Sequence, residues 1–391
     1  MKKYYLLAAG FFTLLGSCSQ DDIVDVNHDG DEIRFTAVAN APTRAAAIHT
    51  TANLTEFQVS AVSNKKNYIE NDKFTKNGTS WSGDGTPRYW PENEKQTVDF
   101  YAHLGGESAY TWVPGETTIA SFNNFKVADD VKAQEDLIYA VTTGQKQQET
   151  AVPLNFRHAL SQIVFNAKNA SQKIYVEIYG VEVYNVQNQG TFTFPSETTA
   201  TQVTDDTQTD YEDTNKGRGT WSGETGKTSY KVEFDDPIVV SSDGANLNKL
   251  VDVTTGSDVT NAMVLLPQET TAWDPEKVGG TAPENTGSYI AVKCKVYNIA
   301  KGDGVHTDGD ELVWAGKNEG GKGDWLGIPA AFNWEQGKKY IYTLVFGNGG
   351  GGHIPDPNPD PDPEFVSIKF NVTVDEFLNG GSQDIEADLK K

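Results

Sequence analysis

The sequence predicts an all-β chain built as sandwiches, and three observations carry that prediction. No window of the 391 residues sustains a helical period of apolar side chains. Short runs with period-two alternation, rich in Val, Ile, Tyr and Phe, recur along the whole length. Between them, clusters of Gly, Asn, Asp and Ser return at the spacing of sandwich turns. The length favours two domains over one.

Composition narrows the function classes. Fifty-five acidic against 32 basic side chains give a formal charge of −23. Nucleic acids and anionic membranes are bound by clustered Lys and Arg, so neither is an expected partner. A hydrophobic share of 37 %, with 11 % aromatic residues, suffices for packed cores. Only Cys18 and Cys294 occur, which excludes a disulfide framework.

Lys2 and Lys3 precede an apolar run, Tyr4 to Leu15, too short to span a membrane as a helix. Leu15-Gly16-Ser17-Cys18 follows and fits a bacterial lipoprotein signal. Residues 1–17 are therefore expected to be removed and the Cys18 thiol to carry lipid. Residues 18–32 read as an acidic tether. Within it, Asp25 to Glu32 has acids at alternate positions and Gly30 sixth, as a calcium loop would. Thr36 stands where the bidentate glutamate would be needed, so a solvated tether without metal is expected.

The first domain is expected over residues 33–150. Ile33, Phe35, Ala37 and Ala39 share one face of a short strand, and Pro42-Thr43-Arg44-Ala45 breaks it. Leu54 to Val62, Val98 to Ala102 and Asp136 to Ala140 are further strands, with a tryptophan turn at Gly78 to Gly85 and Tyr89-Trp90-Pro91 after it. The polar stretch Gln145 to Thr150 marks the boundary. The second domain, 151–354, opens with Val152 to Phe165 and continues through Ile174 to Val186, Tyr230 to Phe234, Met263 to Gln268 and Tyr289 to Tyr297. Ile290, Val292, Cys294 and Val296 alternate, which places Cys294 in the core. Residues 196–228 and 302–327 are Gly- and Asp-rich and read as long loops. Phe332 to Leu344 closes the domain.

A flexible Gly run and the stiff Pro-Asp linker 355–364 should hold the C-terminal segment, 365–391, away from the preceding domain. There Val366, Ile368, Phe370, Val372 and Val374 alternate with polar residues, and five apolar knobs need a trough. A removable first strand and a better-filled last strand are the parts of polymerisation by strand exchange. In one register the resident offers Ile, Phe, Ala, Ala and the incoming strand Ile, Phe, Val, Val. Each Ala-to-Val gain buries about two methylenes more, at about 0.8 kcal/mol each. Cutting after Arg44 would free the resident. Of the five arginines, Arg34, Arg88 and Arg157 fall in strand-like segments, leaving Arg218 in a glycine-rich loop as the rival site.

Several segments, in order, resemble the Bacteroidales fimbrillins, the subunits of type V pili. They are Tyr89-Trp90-Pro91, Phe100-Tyr101-Ala102, Asp136 to Ala140, Phe156 to Ser161 within an F-x-H-A-L-S pattern, Met263 to Gln268, and Trp334 to Tyr342. Ser19 to Asp22 is similar to the acidic surface-export signal of Bacteroidota lipoproteins. The resemblance implies two transthyretin-like antiparallel sandwiches, a displaced strand at residues 33–44 and a donor strand in 365–391. It implies an arginine-specific protease acting between Arg44 and Ala45, and lipoprotein export machinery. The fate it implies is a lipid-anchored outer-membrane precursor that becomes a surface fimbrium of like or unlike subunits. Host or bacterial surface ligands, but no cofactor, would follow from such a role.

Rival readings stay open at this point. The six histidines show no metal spacing and no nucleophile elbow appears, so catalysis is not expected; His158 reads as a structural, hydrogen-bonded histidine. A glycan-binding lipoprotein could use some of the eight tryptophans as stacking platforms, although Trp81, Trp90, Trp221 and Trp334 beside turn residues suit end packing equally. An uncut chain would be a lipid-retaining anchor.

Overall fold

Alternation decides the first sheet, because successive side chains of each strand serve two different cores. A computed structural model describes residues 31–39, 49–50, 52–83, 87–198, 217–254, 261–275, 287–315, 321–348, 368–376 and 383–385. Its first strands are β1 (Phe35–Ala39), β2 (Glu56–Ser63), β3 (Lys66–Asn77), β4 (Ser80–Gly83), β5 (Val98–Leu104), β6 (Tyr110–Val113), β7 (Ile119–Lys126), β8 (Ile138–Gln145) and β9 (Val152–His158). Seven of these form one sheet in the order β1-β9-β8-β5-β2-β3-β4. On one face, Phe57, Phe74, Phe100, Ile138, Ala140 and Leu154 enclose a core, and the sheet curls far enough for β4 to approach β1. On the other face, Tyr101, Tyr139 and Val141 enter a second, larger core.

The second half supplies β10 (Ser161–Asn169), β11 (Ile174–Val186), β12 (Gln189–Thr193), β13 (Thr220–Thr225), β14 (Thr228–Val240), β15 (Val251–Asp252), β16 (Met263–Leu265), β17 (Tyr289–Asn298), β18 (Glu311–Trp314), β19 (Asp324–Pro329), β20 (Lys338–Phe346), β21 (Ile368–Glu376) and β22 (Gln383–Ile385). A four-stranded sheet, β13-β12-β7-β6, covers the outer face of the first sheet. There Phe192 lies 4.8 Å from the Tyr139 ring and Tyr110 stacks on His103 at 3.9 Å. The sheets β15-β10-β20-β21-β22 and β14-β11-β17-β18 sandwich Ile163, Phe165, Tyr342 and Leu344 against Val176, Ile178 and Val292.

The predicted all-β class is what the chain adopts, and no α-helix occurs among the described residues. Among the named strands, pairing is antiparallel except for β1 with β9 and β10 with β20, which are parallel. Parallel partners need long connections, and more than a hundred residues separate β1 from β9. Gln145 to Thr150 joins β8 to β9 within one sheet, and β12 pairs with β7, so strands of the first two sheets lie on both sides of the boundary expected at 150. The two stretches read as loops carry β13, β18 and β19. Trp221 packs against Phe192, and Trp314, Leu326 and Ile328 are buried; that burial outweighs the entropic cost of the flanking glycines. Cys294 is buried as expected, and burial pushes its thiol up to about 12.

Phe122 is completely buried where β7 meets the first sheet. Phe122→Ala is expected to cost about 3–5 kcal/mol, read as a lower urea midpoint with an unchanged slope.

Candidate strand-exchange site

β1 occupies an outer position of the first sheet and completes its core. Phe35 pairs with Val152, Ala37 with Leu154 and Ala39 with Phe156. Ile33, Phe35 and Ala39 are buried and Ala37 is half-buried, the alternation read from the sequence. The Phe35 ring meets three others edge-on, Phe74 at 4.9 Å, Phe100 at 5.4 Å and Phe57 at 6.2 Å. Such contacts add to plain area burial. The backbone is held on two sides. Ile33 N–H donates to the Arg88 carbonyl (2.7 Å) and Trp90 N–H to Asp31 (3.1 Å), while Val152 N–H donates to Arg34 (2.7 Å).

The chain beyond the break is anchored separately. His49 N–H donates to Asp136 Oδ2 at 3.1 Å, and Leu54 N–H to the Thr50 carbonyl at 2.8 Å, with Leu54 itself buried. Asp136 is fully buried, and the same oxygen accepts from His158 Nδ1 at 2.8 Å. A side chain on Gly105 would run into the Asp136 carbonyl, and the positive φ of Gly105 (82°) lets β5 turn there. Burial alone would raise the Asp136 carboxyl; the His158 charge and hydrogen bond, with His49, outweigh it and hold it below the ordinary value. Burial lowers His49. His103, buried and bonded through Nε2 to Asn71 Oδ1 at 2.8 Å, is pulled down to about 4, again by burial.

Four arginines have described surroundings. Arg34 follows Ile33 into β1, its guanidinium on the Glu149 carbonyl at 2.6 Å. Arg88 pairs with Asp72 at 2.5 Å, and Arg157 is buried in β9. Arg218 is clamped: the buried Tyr139 hydroxyl donates to the Gly217 carbonyl (3.2 Å) and accepts from Gly219 N–H (3.1 Å), and Glu335 lies 3.4 Å from the guanidinium. Extending residues 217–219 into a protease cleft would break both bonds. Cys18, Arg44, Ala45 and the Pro-Asp linker lie outside the described residues, as does Val366.

The C-terminal strand is paired within its own chain rather than held away. β21 runs antiparallel to β20, with Ile368 opposite Phe346, Phe370 opposite Leu344, Val372 opposite Tyr342 and Val374 opposite Tyr340. These β20 positions are buried, so the apolar register of β21 matches the core register of its neighbour, and Ile368 is itself buried. β20 would otherwise leave its ladder groups unpaired along that side. β1 and β21 thus occupy different sheets. The Asp136 anchor and the Tyr139 clamp escaped sequence reasoning, since their partners lie 87 and about 80 residues away in the chain.

Among the described residues, no three His, Cys, Asp or Glu side chains converge to hold a metal ion, and no helix is long and apolar enough to cross a membrane. The Trp90 and Trp334 side chains are core residues, whereas Trp81 and Trp221 are half-buried.

Phe35→Ala is expected to destabilise the uncut protein by about 3–5 kcal/mol, measured by urea unfolding. His49, His103 and Asp136 all sit below their ordinary values, so the fold favours their deprotonated forms. Their stabilisation is present above the unfolded values, 6.5 for His and 3.8 for Asp, and fades as pH falls through the folded ones. The urea midpoint is therefore expected to drop steadily from pH 7 to pH 4.

The sequence matches the fimbrillin-like family over residues 43–358. Its fold is similar to a fimbrial protein from Bacteroides vulgatus, at 13 % identity and a TM-score of 0.53, covering 88 % of this chain and 99 % of that one. Weaker likenesses include candidate cell adhesion proteins from Parabacteroides distasonis (10 % identity, TM-score 0.44, 88 % and 97 % covered) and Bacteroides ovatus (13 %, 0.42, 90 % and 99 %). No curated protein matches the chain.

Proposed function

The chain belongs to the fimbrillin-like family, and from that premise we propose that it is a structural subunit of a cell-surface fimbria, assembled by protease-triggered donor-strand exchange and serving adhesion. The observation that carries this reading is the seat of β1. Three buried side chains plug the first core from an outer strand, while the chain from His49 onward is tied down independently by Asp136. Arg44 lies between the two. A cut there would free residues 31–44 to leave without disturbing the rest of the sheet.

The vacated seat would offer the unpaired flank of β9 and a trough lined by Phe57, Phe74, Phe100 and Leu154. The 368–374 strand of a neighbour suits it through backbone pairing plus Ile, Phe, Val and Val anchors. While uncut, the subunit keeps its seat filled by a covalently attached strand. The lipid on Cys18 would hold that precursor at the outer membrane after export. Cleavage would release the lipidated segment together with β1, and the partners are then other fimbrial subunits and an arginine-specific protease. No catalytic step by this chain is needed.

The test is digestion of the unlipidated protein with an arginine-specific protease. A single new N-terminus at Ala45 and an SDS-resistant ladder are expected. Arg44→Ala should abolish both and Arg218→Ala neither, while deletion of residues 365–391 should abolish the ladder and spare the cut. Cleavage only after Arg218, with a product that stays monomeric, would refute shaft assembly and favour a lipid-retaining anchor.

A further inference from the structure

The sheet built on β11 and β17 has an outward face that strand exchange does not use. Val176, Ile178, Val181, Val292, Cys294 and Val296 point into the core, so alternation turns Tyr175, Glu177 and Tyr179 of β11, and Lys293, Lys295 and Tyr297 of β17, the other way. Tyr175 lies opposite Tyr297 and Glu177 opposite Lys295. His306 stacks on Tyr175 at 4.5 Å and sits 4.4 Å from Tyr297, its Nδ1 3.1 Å from Asp310 Oδ2. The Tyr179 hydroxyl donates to Glu177 at 3.0 Å.

A second platform lies beside the first. Trp325 of β19 is paired with Lys293, whose Nζ lies 5.7 Å from the ring centroid. A bulge in β11 puts Gly180 beneath this ring; an added Cβ would meet it at 3.1 Å, so the indole rests against bare backbone. From the Lys293 pair to the Tyr297 pair is four residues, about 14 Å at strand rise. All four large rings and His306 are half-exposed.

Charge on this face cancels locally. Glu233 is shared by Lys293 at 2.6 Å and Lys231 at 3.0 Å, and Lys322 pairs with Asp235 at 2.9 Å. The strip is thus a neutral, aromatic island on a chain of charge −23. Anionic polymers are repelled by that charge, whereas a neutral ligand is not. Tyr179 is pushed up to about 12, by burial first and then by Glu177, so its hydroxyl stays protonated. Rings already fixed by stacking and hydrogen bonds lose little freedom on binding.

We propose that this face binds a neutral saccharide chain, its sugar rings stacked on Trp325 and on the cluster of Tyr175, Tyr297 and the His306 ring that covers them, its hydroxyls bonded to Glu177 and the tyrosine hydroxyls. A sugar presents apolar C–H faces and a polar rim, and the strip alternates rings with paired charges in the same way. The ligand class follows from this face and does not depend on strand exchange.

The test uses the uncut, unlipidated protein on an array of neutral, sialylated and sulfated oligosaccharides, with hits titrated by calorimetry. Neutral oligosaccharides should bind, and Trp325→Ala and Tyr297→Ala should each weaken binding at least tenfold, whereas Trp81→Ala in the first sheet should not. Where Trp325→Ala lowers the melting temperature, Trp325→Phe, which keeps a ring, should retain part of the affinity. Failure of every neutral oligosaccharide to bind, binding confined to charged glycans, or neutral binding that survives both alanine substitutions would overturn the proposal. Self-association lost in Trp325→Ala would assign the face to a second copy and overturn it as well.

Discussion

The first core is closed by a strand that sits at the outer position of its own sheet. β1 has β9 on one flank only, with a short backbone pairing of residues 31–33 to 88–90 behind it. Phe35 reaches three aromatic rings from this seat. Removing the strand would leave both unpaired ladder groups and an open aromatic trough, and each of these is costly in water. A site with that cost has a strong affinity for any strand of matching pattern. The same physics keeps the seat filled while the resident strand is covalently attached, because attachment gives it a high effective concentration.

The segment that follows β1 is tied to the sheet by a buried carboxylate. Asp136 holds His49 and His158 through one oxygen, inside a region where an unneutralised charge would be expensive. Tyr139, three residues on, performs a similar task for residues 217–219 by both donating and accepting through one hydroxyl. β8 thus fills the two cores from its two faces, and the buried polar groups at and just before its start fix segments distant in sequence. Arg218 is immobilised by that second tie.

Much of this was legible in the sequence because period-two alternation is a local signal. Ile33, Phe35 and Ala39 read as buried and are buried; Cys294 read as core and is core. The strands at Thr220, Glu311 and Asp324 were hidden by glycine-rich surroundings, since what orders them is packing of Trp221, Trp314 and Ile328 on partners that no local pattern reveals. Sheet membership was equally hidden: β9 returns to the first sheet, and β21 pairs with β20 across the Pro- and Asp-rich stretch of sequence between them. Tyr175, Tyr297 and Trp325 form a surface only after three strands and a bulge have been assembled. The tryptophans that suggested stacking platforms proved partly core, at Trp90 and Trp334.

The measurement that bears most directly on the exchangeable seat is binding of a synthetic peptide of residues 365–377 to a chain ending at residue 364, before and after cutting with an arginine-specific protease. Because the truncation also bares the β20 flank that β21 fills, the expected result is one more equivalent of peptide bound after the cut than before it, with residues 31–44 released from the complex. Equal binding to cut and uncut protein, or none to either, would contradict an exchangeable strand at the β1 seat.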